Sequence, residues 1–89
     1  MKHRNGYWLP WTPVGTYLGP LTYRQVVDRL GYDAYRHPLE HRRWEQRVRR
    51  AIAQDRIRLE YGEDLAQLLG EHPTSIWGLD YYTHAGITT

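Results

Sequence analysis

The sequence predicts a small α+β domain with two to three short helices and a small antiparallel sheet. Two segments carry the start and stop signals of helices, at residues 21–31 and 37–54. A third segment, residues 57–61, alternates apolar with polar side chains, which is the period of a half-buried strand. A chain of 89 residues is long enough for one domain with a thin core. We therefore expect a single domain over residues 1–89.

Three regions of different character make up that domain. Residues 1–20 form an aromatic N-terminal arm, punctuated by glycine and proline, which suits an irregular segment or short strand pieces. Residues 21–61 hold helix, turn, helix and strand in that order. Residues 62–89 are predicted to contain a short helix over 63–69 and then a C-terminal strand with the sequence TSIWGLDYYT.

The first helix is predicted over residues 23–30. Thr22 is a good N-cap residue and Gln25 follows three residues later, which together make a capping box. Gly31 can take the left-handed conformation that ends a helix. The valines and the leucine between these signals give the helix its apolar face.

The second helix is predicted to begin at Pro38, with His37 as its cap, and to end near Gln54. A helical projection places one apolar stripe around Trp44 and an outward face of opposite character. The stripe contains His41, Trp44, Val48, Ala51 and Ile52, and the outward face contains Arg42, Arg43, Gln46, Arg47, Arg49 and Arg50. Glu45 is the only acid within the stretch HRRWEQRVRR.

These patterns predict which side chains fill the core. The expected core residues are Val26, Val27, Leu30, Trp44, Val48, Ile52, Ile57, Leu59, Leu65 and Leu68.

Charge is distributed unevenly along the chain. Residues 1–20 carry two basic residues and no acid, and residues 21–60 carry ten arginines against six acids, a net charge of +4. Residues 61–89 carry four acids and no Lys or Arg, a net charge of −4. We therefore expect two faces of opposite charge.

The order of helix, turn, Arg-rich amphipathic helix and basic strand resembles a winged helix–turn–helix DNA-binding domain. The resemblance covers about residues 20–61, where LTYRQVVDRLG is similar to the first helix of the motif and HRRWEQRVRRAI to its recognition helix. DRIRL would then start the wing. The segment from Gly31 to His37 is longer than the three or four residues of the usual turn.

The resemblance implies a DNA-binding protein without enzymatic activity, such as a small transcriptional regulator, that contacts DNA through the helix at 38–54. The implied contact residues are Arg42, Arg43, Arg47, Arg49, Arg50, Arg56 and Arg58. Regulators of this kind often bind as homodimers, for which the terminal aromatic residues are the available surface. The alternative interpretation of the Arg-rich face is a solvated surface in which Glu45 pairs with Arg49 at the i, i+4 spacing.

A second class of function is binding to another protein, as in a phage-type inhibitor or a virion or assembly component. Tyrosine and tryptophan are enriched at protein interfaces, and both ends of the chain are rich in them. The candidate interface residues are Trp8, Trp11, Trp77, Tyr81 and Tyr82.

Other classes find little support in the sequence. There is no cysteine, and although His37 and His41 have the spacing of a helical metal pair, no third ligand is suggested, so we expect neither a metal nor another cofactor. Phosphate-binding glycine loops and nucleophile elbows are also absent from the sequence, and we expect no enzymatic activity. No segment approaches the ~20 apolar residues of a membrane span, and we expect a cytoplasmic protein without a membrane partner.

Overall fold

The computed structural model describes residues 7–86 and confirms the α+β class. Six helices and one two-stranded antiparallel sheet are found in this part of the chain. In chain order they are β1 (Trp8–Pro10), α1 (Thr12–Leu18), α2 (Tyr23–Arg29), α3 (Pro38–Gln54), β2 (Arg56–Arg58), α4 (Leu59–Leu68), α5 (Pro73–Trp77) and α6 (Asp80–His84). No helix among these residues is both long and apolar enough to span a membrane.

The two helices predicted from capping signals are present. In α2 the Thr22 side chain accepts from the Gln25 N–H at 3.2 Å, and the Gln25 side chain accepts from the Thr22 N–H at 2.9 Å, so the capping box is complete. Helix α3 begins at Pro38 and ends at Gln54, as predicted. His37 occupies the cap position of α3 without a capping hydrogen bond from its side chain.

The N-terminal arm is more ordered than the sequence predicted. Residues 8–10 form an edge strand. Residues 12–18 form a helix with Pro13 in its first turn, a position that favours proline. Gly19, at φ 86°, follows as the cap. The many glycines and prolines of this region therefore mark the ends of short elements. Strand β1 is one of the short strand pieces that the sequence allowed, whereas helix α1 was not predicted.

The predicted C-terminal strand is replaced by helices α5 and α6. His72 caps α5 by accepting from the Thr74 N–H at 3.2 Å, and Pro73 occupies the first turn. Gly78, at φ 68°, separates the two helices. The aromatic and β-branched residues of TSIWGLDYYT favour a strand, and this preference led to a wrong prediction because the cap at His72 favours a helix.

The strand predicted over residues 57–61 is shorter than expected. Helix α4 begins at Leu59, four residues before the predicted start, and only Arg56–Arg58 pair with β1. Leu59 is buried and Tyr61 is half-buried on different sides of the first turn of α4, since residues i and i+2 do not share a helix face.

The core forms between α3, the sheet and the remaining helices. Eight of the ten predicted core residues are buried: Val26, Val27, Leu30, Trp44, Val48, Ile57, Leu59 and Leu65. The prediction that Ile52 lies in the core is wrong, because 44% of this residue is exposed. Leu68 is only half-buried against the core. On α3 the buried row is Trp44, Val48 and Ala51, and Ile52 lies to one side of that row.

Gly62 allows α4 to pack closely on β1 and α5. A Cβ atom at this position would lie 2.5 Å from Leu9 Cδ1 and 3.3 Å from Trp77 Cη2. Leu9 is fully buried and Trp77 is nearly so. The indole N–H of Trp77 donates to the Pro10 carbonyl at 2.7 Å, which satisfies the polar atom of this buried ring. Both neighbours belong to the core, so a side chain at residue 62 requires Leu9 or Trp77 to shift within it.

Gly62→Val is expected to destabilise the fold by roughly 1–3 kcal/mol, because the added methyl groups must displace Leu9 or Trp77. Gly15→Ala is the matched control, since nothing lies within 4 Å of its Cβ position in α1. This control is expected to gain about 0.4–1 kcal/mol from reduced backbone entropy in the unfolded chain. Urea denaturation of both variants measures the difference. Equal stability of the Gly62→Val variant and the parent would contradict the described packing.

Candidate nucleic-acid interface

The sheet places two arginines and a tryptophan on one exposed face. In the antiparallel register Trp8 is opposite Arg58, Leu9 is opposite Ile57 and Pro10 is opposite Arg56. Side chains alternate between the faces of a strand, so the pair in the middle enters the core, and both of its members are buried. The side chains of Trp8, Arg56 and Arg58 therefore share the opposite face.

Helix α3 supplies a second row of arginines beside that face. Arg43, Arg47 and Arg50 follow one side of the helix at i, i+4 and i+7. Two adjoining depressions, of about 250 and 260 Å³, have Arg47, Arg50 and Tyr61 in common in their linings. We call the two together the arginine groove, and its defining residues are Trp8, Arg43, Arg47, Arg50, Arg56, Arg58 and Tyr61.

No carboxylate among residues 7–86 lies within 4.0 Å of a guanidinium nitrogen of the arginine groove. Glu45, the acid inside the Arg-rich stretch, is turned to the other side of α3. Its Oε2 lies 3.7 Å from Arg24 Nε and 3.7 Å from His41 Nε2. The pairing of Glu45 with Arg49, which the alternative of a solvated surface supposed, is therefore not found, and no described carboxylate forms an ion pair with a groove arginine.

Aromatic rings hold the guanidinium groups on both walls of the groove. The Cζ of Arg47 lies 4.0 Å from the ring centroid of Tyr61 and 5.0 Å from that of Trp44. On the opposite wall, the Cζ atoms of Arg56 and Arg58 lie 4.0 and 5.7 Å from the Trp8 ring centroid. At these distances a guanidinium is attracted to the ring and still presents its N–H edge to solvent.

The seven predicted contact residues do not all lie together. Five of them line the arginine groove. Arg49 lines a separate depression with Gln46 and Arg50, and Arg42 is exposed on α3 outside the groove. Arg49 is placed over the Tyr23 ring, with its Cζ 5.2 Å from the ring centroid. Arg47 was expected on the outward face of α3 and is half-buried against Tyr61.

Two carboxylates set a boundary to the basic surface. Glu40 and Asp64 line a neighbouring cleft, and Arg43 and Arg47 form the wall that this cleft shares with the arginine groove. An anionic ligand is therefore favoured toward β2 and disfavoured toward the N-terminal end of α3.

Residue 55 fixes the angle between the two arginine rows. Asp55 is the only residue between α3 and β2, and it adopts the left-handed conformation at φ 53° and ψ 37°. Its Oδ1 accepts from the Thr12 N–H at 3.0 Å and from the Thr12 hydroxyl at 2.9 Å, at the start of α1. Aspartate tolerates this conformation better than most residues, and its charge is favourable at a helix N-terminus.

Sequence reasoning missed the part of Tyr61 in this surface. Alternation assigned the residue to a strand, whereas its position in α4 brings its ring under Arg47. No local signal relates Tyr61 to Arg47, because their contact depends on how α4 packs against α3. Trp8 was predicted only as a residue that binds a protein partner.

The other aromatic residues proposed for a protein interface are placed mainly in the core. Trp11, Trp77 and Tyr81 are buried, with 8%, 5% and 6% of each exposed. Tyr82 is half-buried and packs edge-on against Tyr81. These four side chains therefore offer little surface to a partner or to a homodimer contact, whereas Tyr7 and Tyr17 are exposed in the described part of the N-terminal segment.

The segment between α2 and α3 is held in a defined turn. The N–H groups of Arg36 and Tyr35 donate to Asp33 Oδ1 at 2.8 and 2.9 Å, and these bonds lower the pKa of the Asp33 carboxyl.

In the described part of the chain β2 pairs with β1, and α4 follows β2 directly. The strand expected to start a wing therefore exists but is not followed there by a second wing strand, and the winged-helix resemblance stays a prediction.

The two histidines at helical spacing have separate surroundings. His41 Nδ1 lies 2.7 Å from the Tyr32 carbonyl oxygen, and His37 packs edge-on against the Tyr32 ring. Within residues 7–86 no three His, Asp or Glu side chains converge as a set of metal ligands.

Asp55→Ala is expected to destabilise the fold by about 1–2 kcal/mol, because α1 loses its cap and alanine resists the left-handed conformation. Asp55→Asn is the matched control, since it keeps an acceptor oxygen and tolerates the same conformation. Chemical denaturation of both variants measures the loss. If the alanine and asparagine variants unfold at the same denaturant concentration as the parent, the Asp55 side chain does not stabilise the junction of α1, α3 and β2.

Comparisons with protein-family models, with curated proteins and with solved structures found no match to this chain. We therefore infer function from the chemistry of the arginine groove and its surroundings alone.

Proposed function

We propose that this chain is a non-enzymatic DNA-binding protein that contacts DNA through the arginine groove. One observation carries the proposal: five guanidinium groups from α3 and β2 line one groove, and no described carboxylate lies within 4.0 Å of them. Like charges repel, so gathering five of them lowers stability unless a polyanion provides a compensating interaction. Guanidinium groups match phosphate oxygens with paired N–H donors.

The alternative of an ordinary solvated face accounts less well for these contacts. Such a face usually alternates charges of opposite sign at i, i+4 spacings. Here the one acid of the stretch pairs with Arg24 and His41 instead. The arginines of the groove have rings and glutamine side chains as their neighbours there, and only Arg43 and Arg47 also line the cleft that contains Glu40 and Asp64.

The dimensions of the groove suit a short length of nucleic-acid backbone. From Arg43 to Arg50, α3 rises roughly 10 Å, at about 1.5 Å for each residue. One DNA strand advances ~3.4 Å per phosphate along the helix axis, so this row covers about three phosphates. Arg56 and Arg58 extend the positive surface along β2.

The groove offers binding groups rather than acid–base catalysts. Apart from its arginines and rings, it is lined by Gln46, Ala51, Gln54 and Ile57. None of these lining side chains is a carboxylate, an imidazole or an aliphatic hydroxyl, the groups that usually transfer protons or attack substrates. This composition supports a binding role for the groove.

The variant Arg43→Glu with Arg50→Glu is expected to bind a labelled random-sequence DNA duplex on the order of a hundredfold more weakly than the parent. Both side chains are exposed and neither lies over a ring, so the fold should be unchanged. Fluorescence anisotropy at about 50 mM and about 200 mM salt measures the affinity and its salt dependence. The slope of log affinity against log salt should fall by about two units, one for each lost phosphate contact.

The control for net charge is Arg29→Glu with Arg36→Glu. These two residues are also exposed, and neither lines the arginine groove. The control should retain most of the parent affinity, although its net charge changes by the same amount. If both double variants lose affinity equally, binding reflects overall charge. If the parent does not bind DNA at the lower salt concentration, the proposed function is wrong.

A further inference from the structure

We infer that Tyr61 and Trp8 are positioning residues for nucleic-acid phosphates, holding Arg47 and Arg56 in the groove without touching the bases themselves. The inference rests on the proposed function and deepens it, because it assigns the ligand of the groove to the sugar–phosphate backbone. It also assigns a role to two rings that carry no charge.

The first reason is that both rings are already covered by a cation. The Arg47 Cζ lies 4.0 Å from the Tyr61 centroid, and the Arg56 Cζ lies at the same distance from the Trp8 centroid. Arg58 approaches Trp8 as well, at 5.7 Å. A ring that stacks on a base must present an open face, whereas each of these rings has a guanidinium over it.

The second reason is that the rings themselves are fixed by the fold. Tyr61 is half-buried in α4 and packs against the core. Trp8 is half-buried on β1, with hydrogen-bonded sheet on its inner side. A guanidinium lying on such a ring loses much of its rotational freedom during folding, so less freedom is lost when a phosphate binds.

The third reason is the contrast between ring-held and free arginines in the same groove. Arg43 and Arg50 are exposed and have no ring partner among the described residues, whereas Arg47 is half-buried between Tyr61 and Trp44. The side chains of Arg43 and Arg50 can adjust to the position of the DNA backbone. The ring-held arginines, Arg47 on one wall and Arg56 with Arg58 on the other, give the phosphates a fixed location.

A double-mutant cycle tests whether Tyr61 acts through Arg47. Tyr61→Leu removes the ring and keeps the charge of the groove, and it should weaken binding to the labelled duplex about tenfold. On an Arg47→Gln background the same change should weaken binding by less than about twofold, because there is no guanidinium left to position. Tyr61→Phe keeps the ring and should restore the affinity of the parent.

The parallel cycle with Trp8→Leu and Arg56→Gln repeats the test on the other wall, and it decides the question if Tyr61→Leu fails to fold. Circular dichroism and thermal unfolding report the fold of each variant. Loss of affinity that is equal with and without the paired arginine would overturn the inference and show that the ring contacts DNA directly. Unchanged affinity of the folded leucine variants would overturn it too. Absence of DNA binding by the parent would instead remove the proposed function, and this inference with it.

Discussion

The corner at Asp55 is the constraint on which the basic surface depends. A single left-handed residue ends α3 and starts β2, so the arginines of the helix and those of the strand lie side by side. The carboxylate of the same residue caps α1, and the Trp11 N–H donates to its main-chain carbonyl at 3.3 Å. Three elements therefore meet at one residue. A different backbone conformation there would separate the two rows of arginines and remove the groove.

Packing and charge cooperate around this corner. The alternating sheet face buries Leu9 and Ile57 and leaves Trp8 outside with its two arginines. Gly62 permits the close approach of α4, and the same helix carries Tyr61 to the wall of the groove. The contacts that close the core therefore also arrange the rings on which guanidinium groups lie. The use of the same residues for packing and for positioning suits a small domain, in which few residues are available for function alone.

The sequence predicted the elements that local signals define, and it failed where tertiary contacts decide. The capping box at Thr22 and the start of α3 at Pro38 were correctly located, because both signals act within a few residues. The C-terminal strand was wrong because β-propensity competed with local caps at His72. Five of seven predicted arginines share a groove, because helical spacing fixes the side of α3 for three of them and strand alternation fixes the face of β2 for Arg56 and Arg58. The contacts with Tyr61 and Trp8 could not be foreseen, because one depends on how α4 is oriented beside α3 and the other on the pairing of β2 with the distant strand β1.

Nuclear magnetic resonance of the side-chain Nε–Hε groups of arginine, recorded during titration with a duplex, tests most directly whether the arginine groove is the DNA contact surface. DNA binding should shift the signals of Arg43, Arg47, Arg50, Arg56 and Arg58, because phosphate contact alters the hydrogen bonding of each guanidinium. The signals of Arg29 and Arg36, outside the groove, should stay in place. Shifts confined to those two outer arginines, or no shift at saturating duplex, would contradict the assignment of the groove as the DNA-binding surface.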